Sequence, residues 1–223
     1  MVLIGKIDIH DIQNVLYHSV GATEFLCALV ASLYFKKVKG TYWKWFAIYV
    51  ILIFILEVIS IFGLDNYPEI RKFYYDFFVI PGEFLFLYWL YAYKSLQLKK
   101  LFVASCFIYL ITLVAYLFFF KEPTLVFSIT YVVGNLLLLI MVCLEFYNQV
   151  QTDKILQFKK NMMFYVNAGV VLFYIGTLPF FTFYGLILKD MAIWNNYYAF
   201  FMLVNNVMYL LFAAAFIWGE PNI

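Results

Sequence analysis

The chain has 223 residues, of which 66% are hydrophobic, 23% are aromatic and only 13% are charged, and its mean hydropathy is +0.90. This composition lies outside that of soluble domains and indicates an integral membrane protein. The formal net charge of +2 is too small to suggest nucleic-acid binding, so no nucleic-acid partner is expected and membrane lipids are the expected surroundings.

Apolar runs of about 20 residues, the length that crosses a bilayer as a helix, recur seven times. They lie near residues 12–35, 43–63, 74–97, 101–120, 124–149, 161–187 and 194–218. The connections between them are short, so no segment is left to fold as a soluble domain. The sequence therefore predicts one all-α domain over residues 1–223, a polytopic membrane protein built as a seven-transmembrane-helix bundle.

Basic residues are distributed unequally between the two ends of the predicted spans. The first, third and fifth connections hold ten of the 15 Lys and Arg residues, and the N-terminal segment with the remaining connections holds five. The positive-inside rule then places the N-terminus outside and the C-terminus in the cytoplasm. The first residues lack a basic start followed by a small-residue cleavage site, so we expect the first helix to be retained.

The first two predicted helices each contain an acidic residue. Glu24 lies near the middle of the first, on a face that continues through Ala28 and Ala31, whose small side chains allow a neighbouring helix to approach. Glu57 lies in the outer third of the second helix, which is otherwise almost entirely apolar.

The third predicted helix contains an acid beside a helix-breaking residue. Glu83 follows Pro81 and Gly82, so we expect the helix to bend where the acid lies. At 100° per residue Asp76, Glu83 and Lys94 fall within one narrow arc, which predicts one polar stripe turned into a bundle.

The next three predicted helices differ in their polar content. The fourth has few polar residues and is predicted to be scaffolding. The fifth carries Asn135, with Glu145 near its inner end, where the carboxyl group either joins the buried polar groups or reaches cytoplasmic water. In the sixth, Asn161 is a predicted N-cap, Asn167 is expected to be buried near the inner surface, and Pro179 should contribute to a kink.

The seventh predicted helix aligns Tyr198, Asn205 and Tyr209 on one face, and Asn206 lies about 100° away. Two adjacent amides at the bilayer centre need partners. At least one of them is therefore expected to face the interior of the bundle.

Several enzyme classes lack their residues in this chain. Cys27, Cys106 and Cys143 have no partner at metal-ligand spacing and are predicted to be small buried hydrophobes, and His10 and His18 are too few for a typical zinc hydrolase. The last helix has no Lys for a retinal Schiff base, and there is no phosphate-binding loop or nucleophile elbow. No metal and no cofactor is expected.

Four acids, Glu24, Glu57, Glu83 and Glu145, lie within predicted spans, whereas every Lys and Arg lies at a span end or in a connection. Such acids must be protonated, hydrogen-bonded, solvated in a cavity or neutralised by a bound cation. We expect a polar cavity open to the outside and lined by helices 1, 2, 3, 5 and 7. The alternative is a buried polar network that only holds helices together.

Five segments carry a family resemblance that spans nearly the whole chain. They are the loop around Asn66, IPGEFLFLYWLYAYKSL, CLEFYNQV, FYVNAGVVLFYIG and NNVMYLLFAAAFIW. They resemble an uncharacterised family of small bacterial seven-helix integral membrane proteins. The chain departs from the family pattern at Tyr165, where Trp is usual, and at residues 195–205, which lack an expected His.

The resemblance implies a fold, a multi-pass location in the bacterial inner (cytoplasmic) membrane and a set of matching polar positions, but no activity. Those positions are Glu83, Glu145, Asn167 and Asn206.

The leading functional hypothesis is a non-enzymatic receptor or sensor-like bundle that binds a small, cationic or amphipathic ligand from the outer side. Its predicted ligand-binding residues are Glu24, Glu57, Glu83, Asn135, Tyr198, Asn205, Asn206 and Tyr209. Glu145 and Asn167 are predicted inner-side polar residues, and Pro81 and Pro179 predicted hinges. The alternatives are a transporter or proton-coupled carrier, an intramembrane lipid-modifying enzyme, and a structural subunit of a membrane or cytoplasmic protein partner.

Overall fold

The computed structural model describes residues 9–119, 123–152 and 154–221, and within these ranges every regular element is a helix. The α-helices are α1 (Ile9–Leu33), α2 (Phe35–Val38), α3 (Trp43–Gly63), α4 (Pro68–Tyr74), α5 (Ile80–Tyr88), α6 (Lys99–Phe119), α7 (Pro123–Gln151), α8 (Met162–Val170), α9 (Leu178–Thr182), α10 (Tyr184–Ile187) and α11 (Met191–Trp218). The other helical segments are three π-helices, Tyr75–Val79, Trp89–Ser95 and Val171–Ile175, and a 3-10 helix, Lys154–Lys160. The predicted all-α class is confirmed.

Among the described residues, five helical stretches are long and apolar enough to cross a membrane. They are Ile12–Leu33, Trp43–Gly63, Ile129–Gln151, Met162–Thr182 and Met191–Trp218. Large apolar side chains point outward from the bundle, and Phe62 is 85% exposed. Such an apolar surface is favourable in contact with lipid and unfavourable in contact with water. The chain is therefore a multi-pass membrane protein.

Helix boundaries differ from the predicted runs where a capping residue lies outside the apolar stretch. The third run begins at Pro68 rather than at residue 74, because proline suits the first turn of a helix. The last run begins at Met191 rather than at residue 194, because the Asp190 carboxylate accepts hydrogen bonds from the N–H groups of Ala192 and Ile193. The predicted end of the fourth run, at residue 120, lies outside the described residues.

Helix α1 packs against α11 and α3, and α11 also packs against α8. The small side chains Ala28 and Ala31 are buried on α1, as close helix approach in a membrane requires. On α8, a Cβ atom at Gly169 would lie 3.0 Å from the ring of Phe212, so glycine allows α11 to lie close there. These contacts bring α1, α8 and α11 together on one side of the bundle.

Two π-helical segments interrupt the helical path from α4 to α5 and beyond. A π-helical turn carries one residue more than an α-helical turn, so residues beyond it are rotated by about 100° from their α-helical positions. The predicted stripe of Asp76, Glu83 and Lys94 is therefore wrong. Lys94 instead places its Nζ atom 5.4 Å from the Trp89 ring and 5.1 Å from the Tyr93 ring.

The helix that begins at Met162 starts and breaks where the sequence predicts. The Asn161 side chain accepts a hydrogen bond of 2.9 Å from the N–H of Met163, which confirms the predicted N-cap. The π-helix Val171–Ile175 is followed by a turn through Gly176, and Pro179 lies in the first turn of α9. The predicted break of this helix is confirmed.

The three cysteines lie in different environments. Cys27 is buried, Cys106 is partly exposed and Cys143 is exposed. The prediction that all three are buried hydrophobes is wrong for Cys143, because its side chain lies on the outward face of α7.

Candidate functional site

A cavity of about 180 Å³ lies inside the bundle, and its walls come from α1, α3, α5, α7 and α11, the π-helix before α5 and the broken helix of residues 162–182. Its polar lining consists of three acids, five tyrosines and one asparagine: Glu24, Glu57, Glu83, Tyr49, Tyr75, Tyr131, Tyr174, Tyr209 and Asn205. Within the part of the chain that the structure describes, no Lys, Arg or His lines it. The rest of the wall is apolar, and half of its residues are phenylalanines.

Each acid comes from a different element and has its own tyrosine neighbour. The Tyr75 hydroxyl donates a short hydrogen bond to the Glu57 carboxylate. The Tyr174 hydroxyl donates a hydrogen bond of 2.9 Å to Glu83 Oε2. These bonds orient two carboxyl groups without supplying a positive charge.

Two acceptor atoms at the cavity have no donor. Glu24 lies beside Tyr209, but its Oε2 atom is buried without a hydrogen-bond partner, and so is the Oδ1 atom of Asn205. A buried polar atom without a partner is unfavourable by about 1–3 kcal/mol. The site therefore favours a guest that brings hydrogen-bond donors.

Arg71, the single arginine of the sequence, lies beside the wall residue Tyr75 but does not line the cavity. Arg71 donates from Nε to Ser60 Oγ at 2.9 Å and pairs with Asp65 through a contact of 3.3 Å. Ser60 lies one turn beyond Glu57 on α3. The acids of the cavity thus lack a basic residue in their own wall.

The cavity volume limits the size of a guest. At about 30 Å³ for each molecule of liquid water, a volume of about 180 Å³ corresponds to about six waters. Sites for drug-sized ligands measure about 300–1,000 Å³. The cavity therefore fits a small polar group or a few waters.

Five of the residues predicted to bind a ligand line this cavity together. They are Glu24, Glu57, Glu83, Asn205 and Tyr209. Glu57 and Glu83 reach it from neighbouring helices, and the other three reach it from α1 and α11.

The other three predicted ligand-binding residues lie outside the cavity wall. Asn135 lies one turn deeper than Tyr131 on α7 and donates from Nδ2 to the Tyr131 carbonyl at 3.1 Å. Tyr198 is on the expected face of α11 but about 10 Å along the helix axis from Asn205, where its ring stacks on Trp194 at 6.1 Å between centroids.

Asn206, the third of these, joins two helices. Its Oδ1 atom accepts a hydrogen bond of 2.9 Å from Thr23 Oγ1 on α1, and its Nδ2 atom donates to the Met202 carbonyl at 2.8 Å and to the Leu16 carbonyl at 3.4 Å. Of the two adjacent amides on α11, one therefore faces the cavity and the other holds α1.

The two predicted inner-side residues are both buried away from the cavity. Glu145 is 2% exposed and accepts hydrogen bonds from Ser95 Oγ at 2.8 Å and Gln149 Nε2 at 3.1 Å, so the alternative that it reaches cytoplasmic water is wrong. Asn167 is fully buried, and neither its Oδ1 nor its Nδ2 atom has a hydrogen-bond partner.

Apart from Tyr209, the tyrosines of the wall were not expected from the sequence, nor was the contribution of the broken helix. With 20 Tyr and 27 Phe residues in the chain, no single aromatic residue is distinctive. The sequence nevertheless contains a signal that could have predicted tyrosines at the site. Where acids lie in spans without Lys or Arg, tyrosine hydroxyls are the main hydrogen-bond donors that can reach them. Tyr75 and Tyr174 have this role.

The donor set does not form a metal site. Among the described residues, no group of three or more His, Cys, Asp or Glu side chains is placed to hold one metal ion. The arrangement can instead bind a molecular cation, with carboxylates for its charge and aromatic faces for cation–π contact. No protein-family model, curated protein or solved structure matches the chain.

Proposed function

We propose that the protein is a membrane receptor or sensor-like binding protein for a small organic ammonium ion, which it holds in the cavity. One observation carries the proposal: three acids and five tyrosines line a single cavity to which the described chain contributes no basic side chain. Acids enclosed in a membrane protein are costly unless they are paired. An ammonium guest supplies the missing positive charge.

The hydrogen-bonding pattern supports a guest with N–H groups. Glu24 Oε2 and Asn205 Oδ1 are acceptors without donors, and a primary ammonium group carries three donors and no acceptor. The tyrosine and phenylalanine rings of the wall add a favourable surface for the cation. A neutral guest of the same size would satisfy fewer of these groups.

The chain is proposed to cross a bacterial inner membrane seven times, with the N-terminus outside. The third and fourth predicted runs are not among the five apolar stretches, but both lie on helices long enough to cross the membrane. Helix α6 has 21 residues and measures about 30 Å, which is the thickness of the hydrocarbon core. The helical path from Pro68 to Ser95 is longer. Because Glu57 lies near the outer end of α3 in this topology, the cavity belongs to the outer half of the bundle.

The helix breaks beside the cavity support a signalling role. Pro81 follows the π-helix Tyr75–Val79, and Pro179 follows the turn at Gly176. Residues next to both breaks line the cavity, including Glu83 and Phe181. We propose that ligand occupancy moves these segments as hinges and so changes the cytoplasmic face.

Thermal unfolding of the purified protein in lipid nanodiscs tests the proposal, with propylammonium as the ligand and propanol as its neutral counterpart. At a concentration 100 times the Kd, propylammonium should stabilise the folded state by about 2.7 kcal/mol, whereas propanol should have no comparable effect. The double change Glu24→Gln with Glu83→Gln should abolish the stabilisation.

Glu145→Gln is the matched control, because it also neutralises a buried acid but lies outside the cavity. The proposal is wrong if propanol stabilises the protein as much as propylammonium does. It is equally wrong if the cavity double variant retains the full response.

A proton-coupled carrier is the second candidate. It is favoured by the three acids that share the cavity, because carboxyl groups inside membrane proteins serve as proton relays in pumps and transporters. Uptake of labelled propylammonium into proteoliposomes, with and without a pH gradient, distinguishes a carrier from a receptor. A receptor binds the ion without accumulating it.

A further inference from the structure

A second concave surface, a groove of about 330 Å³, lies on the outside of the bundle between α3 and α5. Its lining side chains are apolar apart from Tyr49 and the indole N–H of Trp45, and Trp45, Ile48, Leu52 and Phe78 are exposed along it. In a membrane these side chains contact lipid acyl chains rather than water. The groove is therefore suited to a hydrocarbon chain.

The groove and the acidic cavity share a wall. Tyr49, Ile53 and Val79 line both. The Tyr49 ring stacks on Phe86 in the groove with centroids 4.0 Å apart and planes 5° apart, while its hydroxyl lies close to that of Tyr174 in the cavity. One layer of side chains separates the two spaces.

The backbone of this wall is irregular on the α5 side. Side chains close the wall between α3 and α5, and the stack of Tyr49 on Phe86 is one of their contacts. Val79 ends a π-helix, and Pro81 cannot donate a backbone hydrogen bond in the next turn. At Gly82, which lines the groove, a Cβ atom would have no other atom within 4 Å.

We propose that the natural ligand is an amphipathic ammonium compound, with its charged group in the acidic cavity and a single alkyl chain in the groove. This inference rests on the proposed function and names the class of ligand. The ligand reaches the site sideways from the bilayer, between α3 and the segment around Val79. Phospholipids do not fit, because their phosphate would lie against three acids with no Lys or Arg of the described wall to pair with it.

A chain-length series tests the proposal. Binding of n-alkylammonium ions from propyl to dodecyl is measured to the wild-type protein in nanodiscs and corrected for partition into protein-free nanodiscs. The corrected affinity should rise at least tenfold from propyl to dodecyl. Gly82→Leu, which fills the groove, should remove this increase and leave the affinity for propylammonium unchanged.

Gly21→Leu is the matched control, because Gly21 lies on α1 and its Cβ position is also free of neighbours within 4 Å. It should retain the full chain-length increase. Ile48→Trp narrows the same groove from α3 and should act like Gly82→Leu, so the test does not depend on one variant folding well.

The outcomes separate this inference from the proposed function. If propylammonium binds but the affinity does not rise with chain length, or rises equally in Gly82→Leu, the groove proposal is overturned and the ammonium site stands. If no member of the series binds, both are overturned. Binding of dodecylphosphocholine as tightly as dodecylammonium would overturn the exclusion of phosphate-bearing lipids.

Discussion

Asn205 and Asn206 are neighbours on α11 with opposite surroundings. The Asn206 amide makes three hydrogen bonds, to Thr23, Leu16 and Met202, whereas Asn205 Oδ1 has no partner and faces the cavity. One residue therefore holds α1 against α11, and the other is available to a guest.

Replacing these amides should affect different properties. Asn206→Ala should lower the free energy of unfolding by about 1–3 kcal/mol, because the Thr23 hydroxyl would keep only its bond to the Val20 carbonyl and the contact between α1 and α11 would weaken. Asn205→Ala should affect stability less and lower propylammonium affinity. Chemical unfolding in detergent and ligand titration measure the two effects, and equal losses of stability in both variants would contradict this division.

Glu145 has a structural role at the inner end of α7. Glu145→Leu should destabilise the protein by about 1–3 kcal/mol, because the Ser95 hydroxyl and the Gln149 amide would remain buried without their acceptor. Glu145→Gln keeps an acceptor and should cost less. Thermal unfolding of the two variants checks the order, and propylammonium affinity should be unchanged in both.

Hydropathy selects Glu24, Glu57, Glu83 and Glu145 alike, because each is an acid in an apolar span without Lys or Arg. It does not reveal that Glu145 lies outside the cavity that the other three line. Depth along a helix is harder to predict. Tyr198 shares a face with Asn205 but lies two turns away from it. Helical periodicity predicts which face of the helix a residue is on, but not its position along the helix relative to the cavity.

Among the elements, the broken helix of residues 162–182 has a turn that leaves no room for a side chain at one position. At Gly176 a Cβ atom would lie 2.2 Å from the carbonyl oxygen of Leu172, which is impossible without a shift of the backbone. The break depends on this glycine as well as on Pro179.

Gly176→Ala should therefore destabilise the protein by about 1–3 kcal/mol, the usual range for overpacking, and weaken ligand binding through Tyr174. Gly185→Ala is the control, because a Cβ atom there meets no neighbour within 4 Å. Unfolding and binding measurements on the pair check this, and equal stability of the two variants would show that the turn tolerates a side chain.

Glycine and proline predict the break at Gly176 and Pro179 from sequence, but the π-helical turns, including Tyr75–Val79 before Pro81, have no comparable local signature. They depend on how side chains from several helices pack, which a single helix does not reveal. For this reason the arc of Asp76, Glu83 and Lys94 fails although Glu83 itself reaches the cavity.

For the whole molecule, composition predicts the membrane location and the all-α class, since 66% hydrophobic residues cannot be buried in a chain of this size. Which helices are neighbours is not encoded in hydropathy. The pairing of α1 with α11, the first and last helices, depends on small residues and on the Thr23–Asn206 hydrogen bond, which only the assembled bundle shows.

Orientation in the membrane is testable with single cysteines. Asn66 lies in the connection after α3 and Lys99 begins α6, at opposite ends of the predicted spans, and each is replaced by cysteine in turn. In right-side-out vesicles, a membrane-impermeant maleimide should label the first and not the second, and inverted vesicles should reverse the result. The wild-type protein measures the labelling of its three native cysteines. Labelling of Lys99→Cys from outside would contradict the proposed orientation.

The π-helix Tyr75–Val79 has one more consequence. The wide π-helical turn contains one residue more than an α-helical turn. Tyr75 and Glu83 are eight positions apart in the sequence, but because of this extra residue they lie on the same face, as residues seven positions apart do in a regular α-helix. A chain shortened by the outward-facing Phe78 would thus keep its acid and tyrosine in register while losing the irregular turn. Because Phe78 also lines the groove, propylammonium, which does not occupy the groove, is the ligand with which such a deletion would separate ion binding from signal transmission.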